Sequence, residues 1–235
     1  MRLHYIASQL MPTSCCVCRD FGCHKLANLC KTCRLSCQAI QYQCARCALP
    51  LAQASQRCGN CLKQPPAFDA AFSAFLYQPP VSLLIPRLKK GVDQTSLPAL
   101  SELFCEQLAA RFSWPEQAPA AILPMPLHWR RYLGRGFNQS LALGRYLGNR
   151  LKLPVASNIL RRARHAVPQQ GLKRSVRLGN LKSAFVATQA AEGKSFIIVD
   201  DVMTTGATMD AAATALKTAG ATSVVAWSLA RTAMH

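Results

Sequence analysis

Phe196-Ile197-Ile198-Val199 runs directly into Asp200-Asp201-Val202-Met203-Thr204-Thr205-Gly206-Ala207-Thr208. Four apolar residues in a row read as a strand buried on both faces, the kind found at the centre of a parallel sheet. Two carboxylates then fall at its C-terminal end, where open α/β sheets hold their ligands. From Thr204 to Thr208 the chain turns into a helix. Gly206 permits a backbone conformation that side chains disfavour. Successive N–H groups, three threonine hydroxyls and the helix dipole together form a cradle for an anion, and a phosphate suits it. Adjacent carboxylates repel a phosphate, so they must face another part of the ligand, either ribose hydroxyls or a magnesium ion. A sugar carrying a terminal phosphate satisfies both halves. Threonine capping alone would explain one Asp and one Thr; a double acid backed by T-T-G-x-T is more specific than a lone glycine loop.

The second constellation is sulfur. Eleven of the 12 cysteines lie between Cys15 and Cys61, and only Cys105 stands apart. Four C-x-x-C pairs run in series, Cys15/Cys18, Cys30/Cys33, Cys44/Cys47 and Cys58/Cys61, separated by 11, 10 and 10 residues. That spacing lets a tight turn aim two sulfurs at one point about 2.3 Å from a metal, and two such knuckles close a tetrahedron. Two sequential ribbons, with a short hairpin in each gap, are the simplest pairing. An interleaved cross-brace would use the same eight sulfurs. Cys16, Cys23, His24 and Cys37 are left over. A four-sulfur site has no open position for a substrate, so the expected zinc, one ion or two, is structural. Up to Pro65-Pro66 the segment has few large aliphatic side chains. Metal binding, on the order of 10 kcal/mol per site, takes the place of the missing core.

The first nine residues, Met1 to Gln9, are interrupted by polar side chains too early for a signal-peptide core, and no lipobox precedes the first cysteines. No apolar run reaches the ~18 residues that a membrane span needs. The expectation is a cytoplasmic chain, where a reducing environment favours metal over disulfides. Half of the residues are hydrophobic, which excludes wholesale disorder. At 235 residues the chain can bury a real core.

Past Pro65-Pro66, strand and helix signals alternate, placing the elements that must hold the phosphate motif. Strands are expected at Phe68–Tyr77, Ala121–Leu127, Phe196–Val199 and Val224–Leu229, with weaker ones at Val155–Leu160 and Ala184–Thr188. Helices are expected at Val81–Lys90, Leu97–Phe112, Asn138–Leu151 and Thr208–Ala219. This pattern predicts an α/β fold with a mainly parallel sheet covered on both faces. The division is a cysteine-rich module over 1–66 and an α/β domain over 67–235. Cys105, at helical spacing among Leu103, Phe104 and Leu108, is expected in the core.

D-D-x-x-T-T-G-x-T after an apolar strand resembles the binding signature for 5-phosphoribosyl 1-pyrophosphate (PRPP) in type I phosphoribosyltransferases. With four cysteine knuckles ahead of it and R-G-F-N-Q (Arg135 to Gln139) between, nearly the whole chain resembles the ComF/GntX family of competence-associated proteins. The resemblance implies a five-strand phosphoribosyltransferase core behind a zinc-ribbon module. For Asp200 and Asp201 it implies contact with the ribose hydroxyls and Mg2+ of PRPP. Val202, Met203, Thr204, Thr205, Gly206, Ala207 and Thr208 are the PRPP-binding residues it implies, with Thr204 to Thr208 meeting the 5′-phosphate. Pro124-Met125-Pro126-Leu127 falls where such folds place the pyrophosphate loop, which makes Met125 and Pro126 ligand-lining. Single-stranded DNA and DNA-processing proteins are the partners implied by a competence role, with catalysis on a base or amine acceptor as the alternative.

The charge supports a polyanion. The chain carries 28 Lys+Arg against 10 Asp+Glu, a formal +18. Two zinc–thiolate centres of about −2 each would leave about +14. Gln117 to Ala191, 75 residues, hold 13 Lys+Arg and no acid. The clusters are Arg130, Arg131 and Arg135; Arg161, Arg162 and Arg164; and Lys173, Arg174 and Arg177. One pyrophosphate needs about two or three cations, so the surplus points to repeated phosphates, as in a nucleic acid. His128, Trp129, Tyr132, Phe137 and Tyr146 are interleaved with the arginines; Trp129 and Tyr132 are the expected base-stacking residues, while Phe137 and Tyr146 fit a core equally well. The stretch from Arg161 to Leu181, poor in apolar periodicity, is a candidate closing loop.

Overall fold

The computed structural model describes residues 14–21, 28–89, 96–112, 114, 118–127, 136–163 and 184–233. In chain order the elements are α1 (Lys31–Leu35), β1 (Tyr42–Gln43), β2 (Pro50–Leu51), α2 (Gly59–Lys63), β3 (Ala70–Leu76), α3 (Val81–Lys89) and α4 (Ser96–Arg111). There follow β4 (Ala121–Pro124), α5 (Gln139–Leu151), β5 (Leu160–Arg162), β6 (Phe185–Ala187), β7 (Ser195–Met203), α6 (Ala207–Thr218) and β8 (Ser223–Arg231). No helix among the described residues is long and apolar enough to cross a membrane.

The main sheet has the order β3-β8-β7-β4, with every pairing parallel. Side chains along a strand alternate between faces, and the central strands show it. Ile197, Val199, Val225, Trp227 and Leu229 join one buried cluster with α3, α4 and α5. Phe196, Ile198, Val224 and Ala226 join a second cluster with Met209, Ala212 and Leu216 of α6. Both faces are covered, so these strands read as unbroken apolar runs. Trp227 packs edge-on against Phe104 and Phe112, with centroids 6.1 and 5.3 Å away. Cys105 is buried in the first cluster, as its spacing predicts.

Three expectations change. A fifth strand over 155–160 shrinks to one parallel bridge, Val155 to Ile122, because the chain then leaves the sheet to pair β5 with β6, antiparallel. The antiparallel pairings, Ser14–Phe21 and β1–β2, straddle each first knuckle instead of filling the gap after it, and each second knuckle opens a short helix, α1 or α2. Finally, β7 does not stop at Val199. Its ladder continues through Asp200–Ser228, Val202–Ala230 and Met203–Arg231, so the two aspartates lie inside the strand.

The cysteine-rich segment is sealed onto the exposed edge of β3. Backbone N–H groups of Ile40 and Leu76 donate to Ala74 and Gln38, and that of Ala71 donates to Ala45. The Gln43 side-chain amide exchanges two hydrogen bonds with the backbone of Ser73. An unpaired sheet edge is thereby covered.

Helix α5 lies close to the sheet at Gly144, where a Cβ would meet Pro124 Cγ at 3.1 Å, and closer still to the segment that follows it at Gly148. A Cβ on Gly148 would sit 2.5 Å from Val155 Cγ2 and 2.8 Å from the Leu153 carbonyl oxygen. Backbone cannot yield as a flexible side chain does. Gly148→Ala is expected to cost about 2 kcal/mol, read as a lowered urea midpoint at unchanged m-value.

Candidate functional site

In a parallel sheet all C-terminal strand ends lie at one edge, and there β4, β7, α5 and α6 converge. The Met125 N–H donates to the Val199 carbonyl (2.9 Å), extending the β4–β7 register by one residue. Asn138 caps α5, its carboxamide oxygen accepting from the N–H groups of Ser140 (3.0 Å) and Leu141 (3.3 Å). Its Nδ2 donates to the Met125 carbonyl (3.3 Å), tying the helix start to the segment after β4.

This cap delivers the next two side chains to the aspartates. Ser140 Oγ donates to Asp200 Oδ1 at 2.6 Å, and the Asp201 N–H donates to the same oxygen at 2.9 Å. Gln139 Nε2 lies 3.4 Å from Asp201 Oδ2, and the Val202 N–H donates to Asp201 Oδ1 at 2.8 Å. Asp201 is buried at 6% exposure, whereas Asp200 is half-buried and keeps solvent access. Burial first, and the neighbouring Asp201 charge second, push Asp200 up to about 7, against the lowering effect of the Ser140 hydroxyl.

Beyond Met203 the backbone opens to solvent. Thr204 and Thr205 are exposed, and Gly206, Ala207 and Thr208 are half-buried. Gly206 adopts φ +83° at the N-cap of α6, a left-handed conformation that glycine tolerates. Thr205 Oγ1 accepts from the Ala207 N–H (3.3 Å). A 12-residue helix thus begins with its positive end open to solvent, a few residues past the aspartates. Val202 is half-buried, Met203 and Met125 are buried, and Pro126 is half-buried at the mouth of the same edge.

The eight knuckle cysteines form two groups of four able to hold a metal ion, Cys15/Cys18/Cys30/Cys33 and Cys44/Cys47/Cys58/Cys61, with the sulfurs of each group within 4.8 Å of one another. Pairing is therefore sequential, and the interleaved alternative falls. Cys18 and Cys30 sulfurs are 3.8 Å apart, and those of Cys47 and Cys58 3.6 Å. Sulfurs placed tetrahedrally about 2.3 Å from zinc lie about 3.8 Å apart, while a disulfide needs about 2.05 Å. The geometry fits metal and excludes bridges. Burial raises the Cys15 and Cys44 thiols, but amide donors outweigh it, bringing them to about 6 and about 7. The Cys30 N–H donates to Cys15 Sγ (3.4 Å) and the Cys58 N–H to Cys44 Sγ (3.2 Å).

A family model described as "Phosphoribosyl transferase domain" matches residues 139–233. The DNA utilization protein YhgH of Escherichia coli O157:H7 is 39% identical over 175 residues, 74% of this chain and 77% of that protein. Competence protein F of Haemophilus influenzae is 36% identical over 180 residues, with the same coverage. The chain belongs to the ComF/GntX family. Among solved structures, glutamine PRPP amidotransferase from B. subtilis, complexed with ADP and GMP, is similar at 18% identity and a TM-score of 0.38, over 56% of this chain and 26% of that one.

Two features of this ComF/GntX chain escape a reading by motif. Gln139, which closes the R-G-F-N-Q run, touches Asp201, whereas Ser140 touches Asp200 and only the Asn138-Gln139-Ser140 order, a capping residue at the start of an apolar helix, hints at it. The cysteine segment is also an internal repeat. Cys15, Cys18 and the Ser14–Phe21 bridge match Cys44, Cys47 and the Gln43–Pro50 pair at a 29-residue offset. Arg19 and Ala48, each directly after a second knuckle cysteine, share a left-handed backbone, φ 67° and 55°. Among the basic residues singled out above, Arg130, Arg131, Arg135, Arg164, Lys173, Arg174 and Arg177 lie outside the described residues, as do Trp129 and Tyr132. Arg161 and Arg162 sit on β5, and Arg162 lies over the Phe185 ring at 5.5 Å. Phe137 is half-buried, and Tyr146, packed at the edge of the core, donates to Glu102 (2.8 Å).

Proposed function

We propose that this chain binds PRPP or another phosphorylated ribose, with its 5′-phosphate on Thr204–Thr208 and its ribose hydroxyls turned towards Asp200 and Asp201. The observation that carries this reading is the single strand end that presents a carboxylate and, past a glycine turn, an exposed helix N-terminus. Ser140 and the Asp201 N–H hold Asp200 with one oxygen engaged, leaving the other to accept from a hydroxyl. Asp200 and Asp201 supply the oxygen donors that Mg2+ prefers. When bound, that ion would offset the negative charge of a pyrophosphate.

In the same reading the basic stretch takes single-stranded DNA, so that the protein handles incoming DNA in the cytoplasm together with DNA-processing proteins. The names of the relatives and the 75-residue run without an acid support this part. Fluorescence anisotropy with a single-stranded oligonucleotide tests it. Affinity is expected to fall steeply with salt. Replacing Arg130, Arg131 and Arg135 with Gln should reduce the log–log slope by about 2, at ~0.7 per phosphate contact. Equal affinity at low and high salt would remove the DNA reading.

A second reading, transfer of phosphoribose to a base or amine, is favoured by the match to a phosphoribosyltransferase domain. It predicts Mg2+-dependent pyrophosphate release with some nucleophile. Binding of PRPP without turnover across a broad nucleophile panel would leave a binding protein. In both readings the two tetrads hold structural zinc.

A further inference from the structure

Arg231 closes β8 and is only 2% exposed. A guanidinium stays charged, so burying it calls for both hydrogen-bond acceptors and a compensating anion. Its Nε donates to the Cys47 carbonyl (3.3 Å) and its Nη1 to the Met203 carbonyl (3.0 Å). Those oxygens satisfy donors without neutralising charge. Among the described residues no carboxylate forms an ion pair with Arg231. Cys47, however, belongs to the second tetrad, and a zinc ion held by four thiolates carries about −2. Loaded with zinc, that cluster would supply the anion this arginine lacks.

The two carbonyls belong to different machinery. Met203 is the residue before the Thr204–Thr208 loop, and its carbonyl also accepts from the Thr232 N–H (3.2 Å). The far end of the loop is held by the same knuckle. Arg46, between Cys44 and Cys47, donates to the carbonyls of Pro66 and Asp69, both at 2.8 Å. The adjoining Ala67 N–H donates to Asp210 Oδ1 (2.6 Å), in the first turn of α6. Ala48, fully buried, shares an apolar cluster with Met203 and Met209. One cysteine knuckle thus fastens the chain immediately before and immediately after the loop. The first tetrad faces elsewhere: Cys15 and Cys16 lie in the cluster on the opposite sheet face, and the Cys16 carbonyl accepts from Arg87 (2.7 Å).

We propose that Arg231 is a positioning residue coupling the second metal site to the sugar-phosphate loop, so that metal on Cys44, Cys47, Cys58 and Cys61 sets the shape of Thr204–Thr208 and its affinity for a phosphorylated ribose. The affinity part rests on the functional reading above; the shape part does not. The test uses the full chain, with zinc content by elemental analysis, hydrogen exchange over 203–209, and calorimetric titration with PRPP and Mg2+. Cys61→Ser and Cys33→Ser each lose one metal, from the second and first tetrad respectively. Only Cys61→Ser and Arg231→Lys are expected to speed exchange over 203–209 and to weaken PRPP, each by about tenfold, a typical coupling between sites. Arg231→Lys keeps both metals. Exchange over 203–209 that is the same in Cys61→Ser as in Cys33→Ser, or in Arg231→Lys as in the parent, overturns the coupling. Should one variant not fold, the other decides. A parent chain that shows the exchange contrast but binds no PRPP refutes the ligand reading alone, whereas PRPP binding without the contrast refutes the coupling alone.

Discussion

Stripping metal from the full chain with a strong chelator is expected to unfold the cysteine-rich segment and lower the melting temperature by more than about 20 °C. Each tetrathiolate site contributes on the order of 10 kcal/mol of folding free energy. Whole proteins are stable by only about 5–15 kcal/mol, and at this size 1 kcal/mol is worth about 2–4 °C. Among the described residues of the segment nothing else can substitute: the helices there have five residues each, and no cysteine forms a disulfide. The loss should spread, because residues 38–45 cover the β3 edge and Arg34 and Arg111 anchor to Glu106 and to the Ile40 carbonyl. Circular dichroism melts beside elemental analysis check it. The expected content is about two zincs per chain; an unchanged melt after complete metal removal would contradict the structural role.

Replacing both aspartates, Asp200→Asn with Asp201→Asn, is expected to weaken PRPP–Mg2+ binding by at least about 100-fold, since two charge-assisted hydrogen bonds of about 1.5–3 kcal/mol are lost. Any pyrophosphate release should vanish with it. Asp200 also carries a pH signature. With its folded value near 7 against an ordinary 3.8, it is protonated below neutrality and a poor acceptor for hydroxyls. PRPP affinity should therefore rise with pH up to about 7 and level off, by at most about tenfold per unit. Asp200→Asn removes that component and leaves the titration of the ligand's own phosphates. Stability moves the other way. A raised carboxylate contributes fully below 3.8, and that contribution is lost as pH climbs towards 7. Unliganded protein should thus lose stability over the range in which it gains affinity, and calorimetry and urea titrations at matched pH values check both.

What the sequence revealed depended on how local each signal is. The strand Phe196–Val199 and the helix beginning at Ala207 were legible because apolar runs and a glycine turn are written in consecutive residues. The knuckle pairing was not, since spacing allows two arrangements of the same sulfurs and only the fold brings Cys30 to Cys18 and Cys58 to Cys47. Ser140 was hidden for a different reason. It lies 60 residues from Asp200, and a serine in the first turn of a helix looks like any capping-turn residue. Arg231 was the least visible, a basic residue near the end of an apolar strand whose burial becomes intelligible only once Cys47 and Met203 are its neighbours. The end of β7 lies beyond the apolar run because Asp200 and Asp201 stay in the ladder, with their carboxylates engaged by Ser140, Gln139 and the strand's own N–H groups.

The claim that a ribose phosphate sits where β7 meets α6 is tested most directly by mapping backbone amide chemical shifts of the zinc-loaded chain during a titration with PRPP and Mg2+. Saturable shifts are expected to be largest at Thr205–Thr208 and at Asp200–Val202, with smaller ones at Ser140. Amides there that stay unmoved at saturating PRPP, or shifts confined to the cysteine tetrads, would contradict it.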